Sequence, residues 1–112
     1  MNKIITLKKN KEFNRLYSKG KAYVSKSLIL YVLPNRSCEK RIGITTSKKI
    51  GKAVDRNRAR RVIKESYREV LKNIKPGYDL VFVARKKTTR IKSTKVLSIM
   101  KEQLKEAGVF IS

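Results

Sequence analysis

The sequence contains no histidine and a single cysteine, Cys38. Histidine is the usual general acid or base near neutral pH, and one thiol cannot complete a structural zinc site or an internal disulfide. We therefore expect Cys38 to be a free thiol, and we expect neither catalytic residues nor a metal site built by the chain itself. A nuclease that carries its own catalytic groups needs residues that act as general acid and base or that bind metal ions, and this sequence offers no convincing set of them.

Long apolar runs are also missing. No segment approaches the ~20 apolar residues of a membrane-spanning helix, and residues 1–9 lack the apolar stretch of a signal peptide. No helical pattern sets a basic face against Trp or Phe, as helices bound to membrane surfaces do. These absences predict a cytoplasmic protein with no membrane role.

Acidic residues are scarce. Eight Asp and Glu stand against thirty Lys and Arg, which gives a net charge of +22 and a pI near 10.6. Such a chain repels itself and binds a polyanion, which points to nucleic acid. Glu65 and Glu69 lie one helical turn apart, but we interpret them as surface ion-pair partners of Arg61 and Lys72 rather than as metal ligands.

The 112 residues suffice for one domain with a real core, which we place at residues 1–112. The apolar patterns predict a helix over residues 10–18 capped by Asn10, a strong strand over 27–33 and another over 41–46. A weaker strand is predicted over 22–24. The polar residues 35–40 are typical of a hairpin loop, so we expect the strands at 27–33 and 41–46 to pair antiparallel.

The second half of the chain predicts two helices and a strand. Asp55 is the expected cap of a long helix that ends near Ile74, before the helix-breaking Pro76 and Gly77. The apolar run 79–84 is typical of a strand buried on both faces, returning parallel to the strand at 41–46 as a βαβ unit. A closing helix capped by Ser93 or Thr94 follows, and residues 109–111 are expected to add an edge strand.

The most basic stretch comes between the strand at 41–46 and the long helix. Residues 47–61 hold seven Lys or Arg and one acid. On a helical wheel, residues 56–74 separate into an apolar stripe and a basic stripe. Arginines crowded at the amino end of a helix oppose its dipole, so helix stability does not account for them. Their planar groups bind phosphate oxygens in pairs, which favours a face that binds a phosphate-bearing polyanion over a merely solvated one.

Residues 43–61, with Arg56-Asn57-Arg58 at their centre and Lys48-Lys49-Ile50-Gly51 before it, resemble the signature of the bacterial ribonuclease P protein subunit. The resemblance extends to Phe13 and Tyr17, to residues 28–31 and 78–85, and to the closing helix. It implies an α+β single-domain two-layer sandwich with a mixed central sheet and helices packed on it. That fold is like the second domain of ribosomal protein S5, with a left-handed βαβ crossover, although such crossovers are right-handed in about 98% of cases.

The resemblance also implies a function. The protein would be the accessory subunit of ribonuclease P, which removes the 5′ leader from precursor tRNA, with catalysis carried out by an RNA subunit that holds the Mg²⁺. The expected partners are the catalytic RNA and precursor tRNA, with no obligate protein partner. Alternatives from the residues alone are a ribosomal protein or an RNA chaperone without a nuclease role; a DNA-compacting protein fits less well because no dimeric helix-turn-helix or arm pattern is present.

Two sets of site residues follow from the resemblance together with the charge pattern. The expected contacts to the RNA subunit are Lys48, Lys49, Lys52, Arg56, Asn57, Arg58, Arg60, Arg61, Lys64 and Arg68. The expected contacts to the leader are Phe13, Tyr17, Tyr31, Arg85 and Lys86. The spacing of the three aromatics is equally typical of core residues, so burial or partial exposure decides between the two interpretations.

Overall fold

The computed structural model describes residues 4–46 and 50–111, and Ser47, Lys48 and Lys49 lie outside this part of the chain. Five strands form one mixed sheet in the order β1-β4-β5-β3-β2. The strands are β1 (Ile5–Thr6), β2 (Lys21–Val24), β3 (Leu28–Pro34), β4 (Lys40–Thr46) and β5 (Tyr78–Ala84). β5 pairs parallel with β4 and antiparallel with β3, which confirms the predicted α+β class and mixed sheet.

Three helices flank the sheet: α1 (Asn10–Lys19), α2 (Ala53–Val70) and α3 (Ser93–Glu106). α2 and α3 pack on one face, where Leu30, Phe82 and Ile63 belong to the main core. The predicted two layers are this sheet and this helix pair. α1 lies on the opposite face, where Leu16 and Val81 form a smaller core. The hand of the β4-α2-β5 crossover stays a prediction.

β5 occupies the centre of the sheet because it is apolar on both sides. Leu80, Phe82 and Ala84 point to the α2–α3 layer, and Val81 points to α1. Successive side chains alternate between the faces, so a central strand covered on both faces has a continuous apolar sequence. The turn before it is made by Gly77, whose φ of +89° is easily adopted only by glycine. Pro76 and Gly77 thus lie in the turn before β5, although α2 itself already ends at Val70.

The predicted hairpin pairing of β3 with β4 is wrong. Both strands pair with β5, which lies between them. Neighbouring strands are about 4.8 Å apart, so the connection over residues 35–39 spans roughly 10 Å, well within the reach of five extended residues. A polar loop of this length allows either a hairpin or a jump over one strand. Because β5 is the strand most apolar on both faces, it takes the central position and separates β3 from β4.

Helix and strand ends differ from the prediction in detail. α2 begins at Ala53 after Lys52, so Asp55 is not the cap, although its charge in the first turn favours the helix dipole. α3 begins at Ser93, and neither Ser93 nor Thr94 caps it. Asn10 is likewise the first residue of α1 rather than its cap, because the Glu12 carboxylate accepts hydrogen bonds from the backbone N–H groups of residues 8 and 9.

The ends of the apolar patterns also differ. The helix predicted to reach Ile74 stops at Val70 and continues as a 3₁₀ turn over Leu71–Asn73. Residues 109–111 form no strand: Phe110 makes one isolated antiparallel bridge to Ile74. One edge of the sheet is formed by β1, whose two residues are too few to show a periodic pattern. No helix in the described ranges has the length and apolar content needed to cross a bilayer.

A hydrogen-bonded ion network fixes α1 to the sheet. Arg41 donates from Nε and Nη2 to the two carboxylate oxygens of Asp79, both at 2.7 Å, and from Nη1 to Glu12 at 3.2 Å. Asn35 donates to the same Asp79 carboxylate at 2.8 Å. The hydrogen bond to Asp79 raises the pKa of Arg41 above its ordinary value. Two of the eight acids are thereby committed to structure.

Tyr67 offers a first test of the core. Its ring is fully buried beside Phe82, and its hydroxyl has no hydrogen-bond partner among the described residues. A buried hydroxyl without a partner costs roughly 1–3 kcal/mol, so Tyr67→Phe is expected to increase the free energy of unfolding by about 1 kcal/mol.

The pH dependence gives the Tyr67→Phe variant a second readout. Burial raises the pKa of Tyr67, so the unfolded state loses this proton first, above pH ~10, and wild-type stability falls there. The variant has no phenol at position 67, so its free energy of unfolding should fall less above pH ~10. Urea titrations at neutral pH and above pH ~10 measure both effects, and a destabilised variant at neutral pH would show that the hydroxyl has a partner such as a buried water.

Candidate nucleic-acid interface

The two stripes predicted for α2 are present. Ala59, Ile63 and Tyr67 are fully buried against the sheet and α3. The opposite side of the helix is exposed. We call this side, together with the turn that leads into it, the α2 basic face; its exposed members are Lys52, Asn57, Arg58, Arg60, Arg61, Lys64 and Arg68.

The cations of the α2 basic face are not neutralised by neighbouring acids. Among the described residues, the only ion pairs within 4 Å are those of Arg41 with Glu12 and Asp79. The ion pairs expected for Glu65 and Glu69 with Arg61 and Lys72 do not form. Exposed pairs of this kind gain at most about 1 kcal/mol and cost side-chain freedom, so the side chains stay solvated. The arginine donors of this face are therefore available to phosphate oxygens.

Arg56 differs from the other predicted RNA contacts. It is half-buried, and its Nη1 donates a hydrogen bond of 2.8 Å to the carbonyl oxygen of Gly51. Gly51 has a φ of +94°, at the turn that leads into α2. Arg56 thus holds this turn against the first turn of the helix, which orients Lys52 beside the α2 basic face.

The opposite face of the sheet carries a shallow channel, which we call the sheet groove. Phe13 of α1 closes one end, because its ring lies directly over Gly43: a Cβ added there would come 2.5 Å from Phe13 Cε1. Any larger residue at this position would displace the ring. The groove then runs past Tyr17, Tyr31, Ile29 and Val83 towards Arg85, since residues 81, 83 and 85 of the extended chain point to one side.

Two tyrosines form an exposed aromatic pair in the sheet groove. The ring centroids of Tyr17 and Tyr31 are 5.0 Å apart with an interplanar angle of 72°, an edge-to-face arrangement. Tyr17 is 40% exposed and Tyr31 is half-buried. The Tyr17 hydroxyl is 3.4 Å from Thr45 Oγ1, too long for a strong hydrogen bond. The partial-exposure interpretation of these residues therefore fits, and Phe13 is also only partly buried.

The far end of the sheet groove is basic. Arg85 and Lys86 line a cavity of about 570 Å³ together with Lys26, Lys87, Ile29, Val83 and Ala84. Arg85 Nη1 donates a hydrogen bond of 3.0 Å to the carbonyl oxygen of Ser25, which directs the guanidinium across the groove. The predicted leader contacts are thus arranged along one path, with the aromatic rings first and the cations after them.

Sequence reasoning missed three residues of the sheet groove, namely Ile29, Val83 and Thr45. They lie in one row across β3, β5 and β4. The strand alternation that assigns them to this face was hidden, because β5 is apolar on both faces. Once the order of the strands is known, their positions follow from Tyr31 by counting two residues along each strand.

The described residues offer no site suited to a metal ion. No group of three or more His, Cys, Asp or Glu side chains converges there. Glu12 and Asp79 are already neutralised by Arg41. A magnesium ion prefers several oxygen ligands in octahedral arrangement, and the available carboxylates do not provide them.

Comparison with known proteins agrees with this geometry. The family described as Ribonuclease P matches residues 1–108. The ribonuclease P protein component of Clostridium botulinum (strain Loch Maree / Type A3) is 46% identical over 105 residues, covering 93% of this chain and 95% of that protein. The one from Clostridioides difficile (strain 630) is 52% identical over 80 residues, 70% of each chain.

Solved structures show the same fold. The RNase P protein of Staphylococcus aureus superposes with a TM-score of 0.85 at 31% identity, covering 96% of this chain and 99% of that one. The protein from Thermotoga maritima gives a TM-score of 0.81 at 27% identity, covering 90% and 96%. The likeness spans nearly the whole of each chain.

Proposed function

Since the chain belongs to the ribonuclease P protein family, we propose that it docks its α2 basic face on the catalytic RNA of ribonuclease P and holds the 5′ leader of precursor tRNA in the sheet groove. The family assignment places the chain in an enzyme of tRNA processing, working with the ribonuclease P RNA. The two docking surfaces and the choice of what each binds are our proposal, as is a cytoplasmic location.

One observation carries the proposal: the two RNA-suited surfaces lie on opposite faces of the sheet. The α2 basic face offers cations that pair with no acid in residues 4–46 and 50–111, and it presents them on a rigid helix, which suits the phosphates of a folded RNA. The sheet groove offers exposed aromatic rings followed by cations, which suits unstacked bases of a single strand. A single small domain of this kind is able to hold an RNA and its substrate at the same time.

The division of labour follows from the residue types present. The chain has no histidine, and two of its acids are held by Arg41. We therefore assign the hydrolysis, and the Mg²⁺ that it requires, to the RNA subunit. The protein contributes by positioning the leader and by neutralising phosphate repulsion between two RNA molecules. The family match disfavours a ribosomal protein or RNA chaperone without a nuclease role.

Reconstitution tests this proposal. The purified protein alone is expected to leave precursor tRNA intact, whereas addition of a bacterial ribonuclease P RNA and Mg²⁺ is expected to restore leader removal at moderate salt. Gel analysis of end-labelled precursor tRNA measures both. Leader cleavage by protein that has been treated with ribonuclease and repurified would contradict the proposal, as would failure of the protein to improve cleavage by the RNA.

A further inference from the structure

A second cavity, of about 510 Å³, lies at the outer edge of β4, between α1 and α2. Its volume is within the ~300–1,000 Å³ of small-ligand sites. We call it the edge pocket; it is lined by Ile4, Thr6, Leu7, Phe13, Ile42, Gly43, Ile44, Arg60, Arg61 and Lys64. It is the place where the α2 basic face and the Phe13 end of the sheet groove meet.

The wall of the edge pocket is apolar and includes an unused strand edge. β1 ends at Thr6, and the last backbone bond on this side runs from the N–H of Leu7 to the carbonyl of Ile42. In a parallel sheet, the N–H and the C=O of one residue both point to the same neighbouring strand, and those of the next residue point to the strand on the other side. The backbone N–H and C=O of Ile42 and Ile44 therefore point towards β1, away from β5. No strand of the described chain lies beside Ile44. Its N–H and C=O therefore face the pocket as a donor and an acceptor.

The rim of the edge pocket is cationic. Arg60, Arg61 and Lys64 project from α2, and no acid is among the lining residues. All three side chains are exposed and form no ion pair with the other described residues. Phe13 adds the aromatic part of the wall. The pocket thus combines a ring, a hydrogen-bonding backbone edge and positive charge, which are the groups that recognise a base and its phosphates.

We propose that the edge pocket takes one unstacked nucleotide of the catalytic RNA. Its base packs against Leu7 and Phe13 and hydrogen-bonds to the backbone of Ile44, while its phosphates contact Arg60, Arg61 and Lys64. Phe13, which lies between the two sites, then contacts the catalytic RNA, and Tyr17 and Tyr31 remain the aromatic contacts to the leader. The RNA subunit is the source because all three rim cations belong to the α2 basic face, whereas the cations of the sheet groove lie at its other end. This inference rests on the proposed function.

Filling the pocket tests the inference. Thr6 is exposed and lines the cavity, so Thr6→Trp places an indole in it. We expect about tenfold weaker binding to the catalytic RNA, and loss of protection at one unpaired nucleotide when the complex is probed chemically. The remaining protections should persist. Ser98→Trp, on the exposed side of α3, is the matched control and should change neither result.

The outcomes separate the inference from the proposed function. Unchanged affinity and footprint in Thr6→Trp would overturn the edge pocket, and loss of protection on the leader instead would show that the source is precursor tRNA. Wild-type protein that fails to bind the catalytic RNA at all would overturn the proposed function.

A titration of isotopically labelled wild-type protein with adenosine 5′-monophosphate is independent of the variant's folding. We expect the amide signal of Ile44 to shift, with no such shift from ribose 5-phosphate, which lacks the base. No shift at Ile44, or an equal shift with both compounds, would contradict a base site.

Discussion

Replacing both Tyr17 and Tyr31 with alanine is expected to weaken binding of precursor tRNA to the reconstituted enzyme by about 10- to 100-fold. Each base that stacks on an aromatic ring contributes about 1–3 kcal/mol, and these rings form the exposed pair at the middle of the sheet groove. Binding of mature tRNA, which has no leader, should be nearly unchanged. Equilibrium titrations of both RNAs at fixed Mg²⁺ and salt measure the difference.

The matched control keeps the rings and removes the hydroxyls. Tyr17→Phe combined with Tyr31→Phe should retain the affinity, because the contact from Tyr17 to Thr45 is long and weak. A thermal melt of the alanine variant excludes unfolding, since Tyr31 also packs on the smaller core. Equal losses for precursor and mature tRNA would show that these rings serve the fold or the RNA subunit rather than the leader.

The two stripes of α2 are expected to respond in opposite ways to substitution. Arg58→Ala with Arg61→Ala should leave stability within about 0.5 kcal/mol, since both side chains are exposed. Binding to the catalytic RNA should weaken, and the slope of log affinity against log salt should flatten by roughly 0.7–0.9 for each phosphate that the variant no longer neutralises. Ile63→Ala should cost about 2–5 kcal/mol of stability, because Ile63 is fully buried.

Two measurements check this pair. Filter binding across a range of salt concentrations gives the slope for the arginine variant, and urea unfolding gives the stability of both. The loss for Ile63→Ala is a large part of the ~5–15 kcal/mol that stabilises a domain of this kind. An arginine variant with unchanged affinity and slope would show that the catalytic RNA binds elsewhere on the protein.

The faces of α2 were predictable because basic and apolar residues alternate there with the helical period. Arg61 was predicted to be exposed and Ile63 to be buried, and this prediction does not depend on where the helix begins or ends. β5 was recognised as a central strand for the same reason that its groove residues were missed: both of its faces are apolar. Phe82 is buried against the helices and Val83 lines the groove, but both are apolar, so the periodicity of the sequence does not show which of them faces which side.

Interactions between distant segments were beyond the reach of local patterns. Arg41 and Asp79 are register partners on β4 and β5, and their ion pair exists only because β5 lies next to β4. The hairpin prediction followed the short loop after β3 and placed the wrong strand beside it. The edge pocket depends on where β1 stops, at Thr6, and a strand of two residues leaves no pattern in the sequence.

The central position of β5 has a consequence for biosynthesis. A chain is made from its amino end, so β4 and α2 leave the ribosome before the strand that joins β4 to β3 exists. Until Tyr78–Ala84 has been translated, β2 and β3 remain separated from β1 and β4, and Tyr67 and Ile63 lack the central strand on which they pack. During that interval α2 is a highly cationic segment with an uncovered apolar stripe beside ribosomal RNA. Because the strand order depends on non-local pairing, the last third of the chain decides when α2 acquires its rigid form.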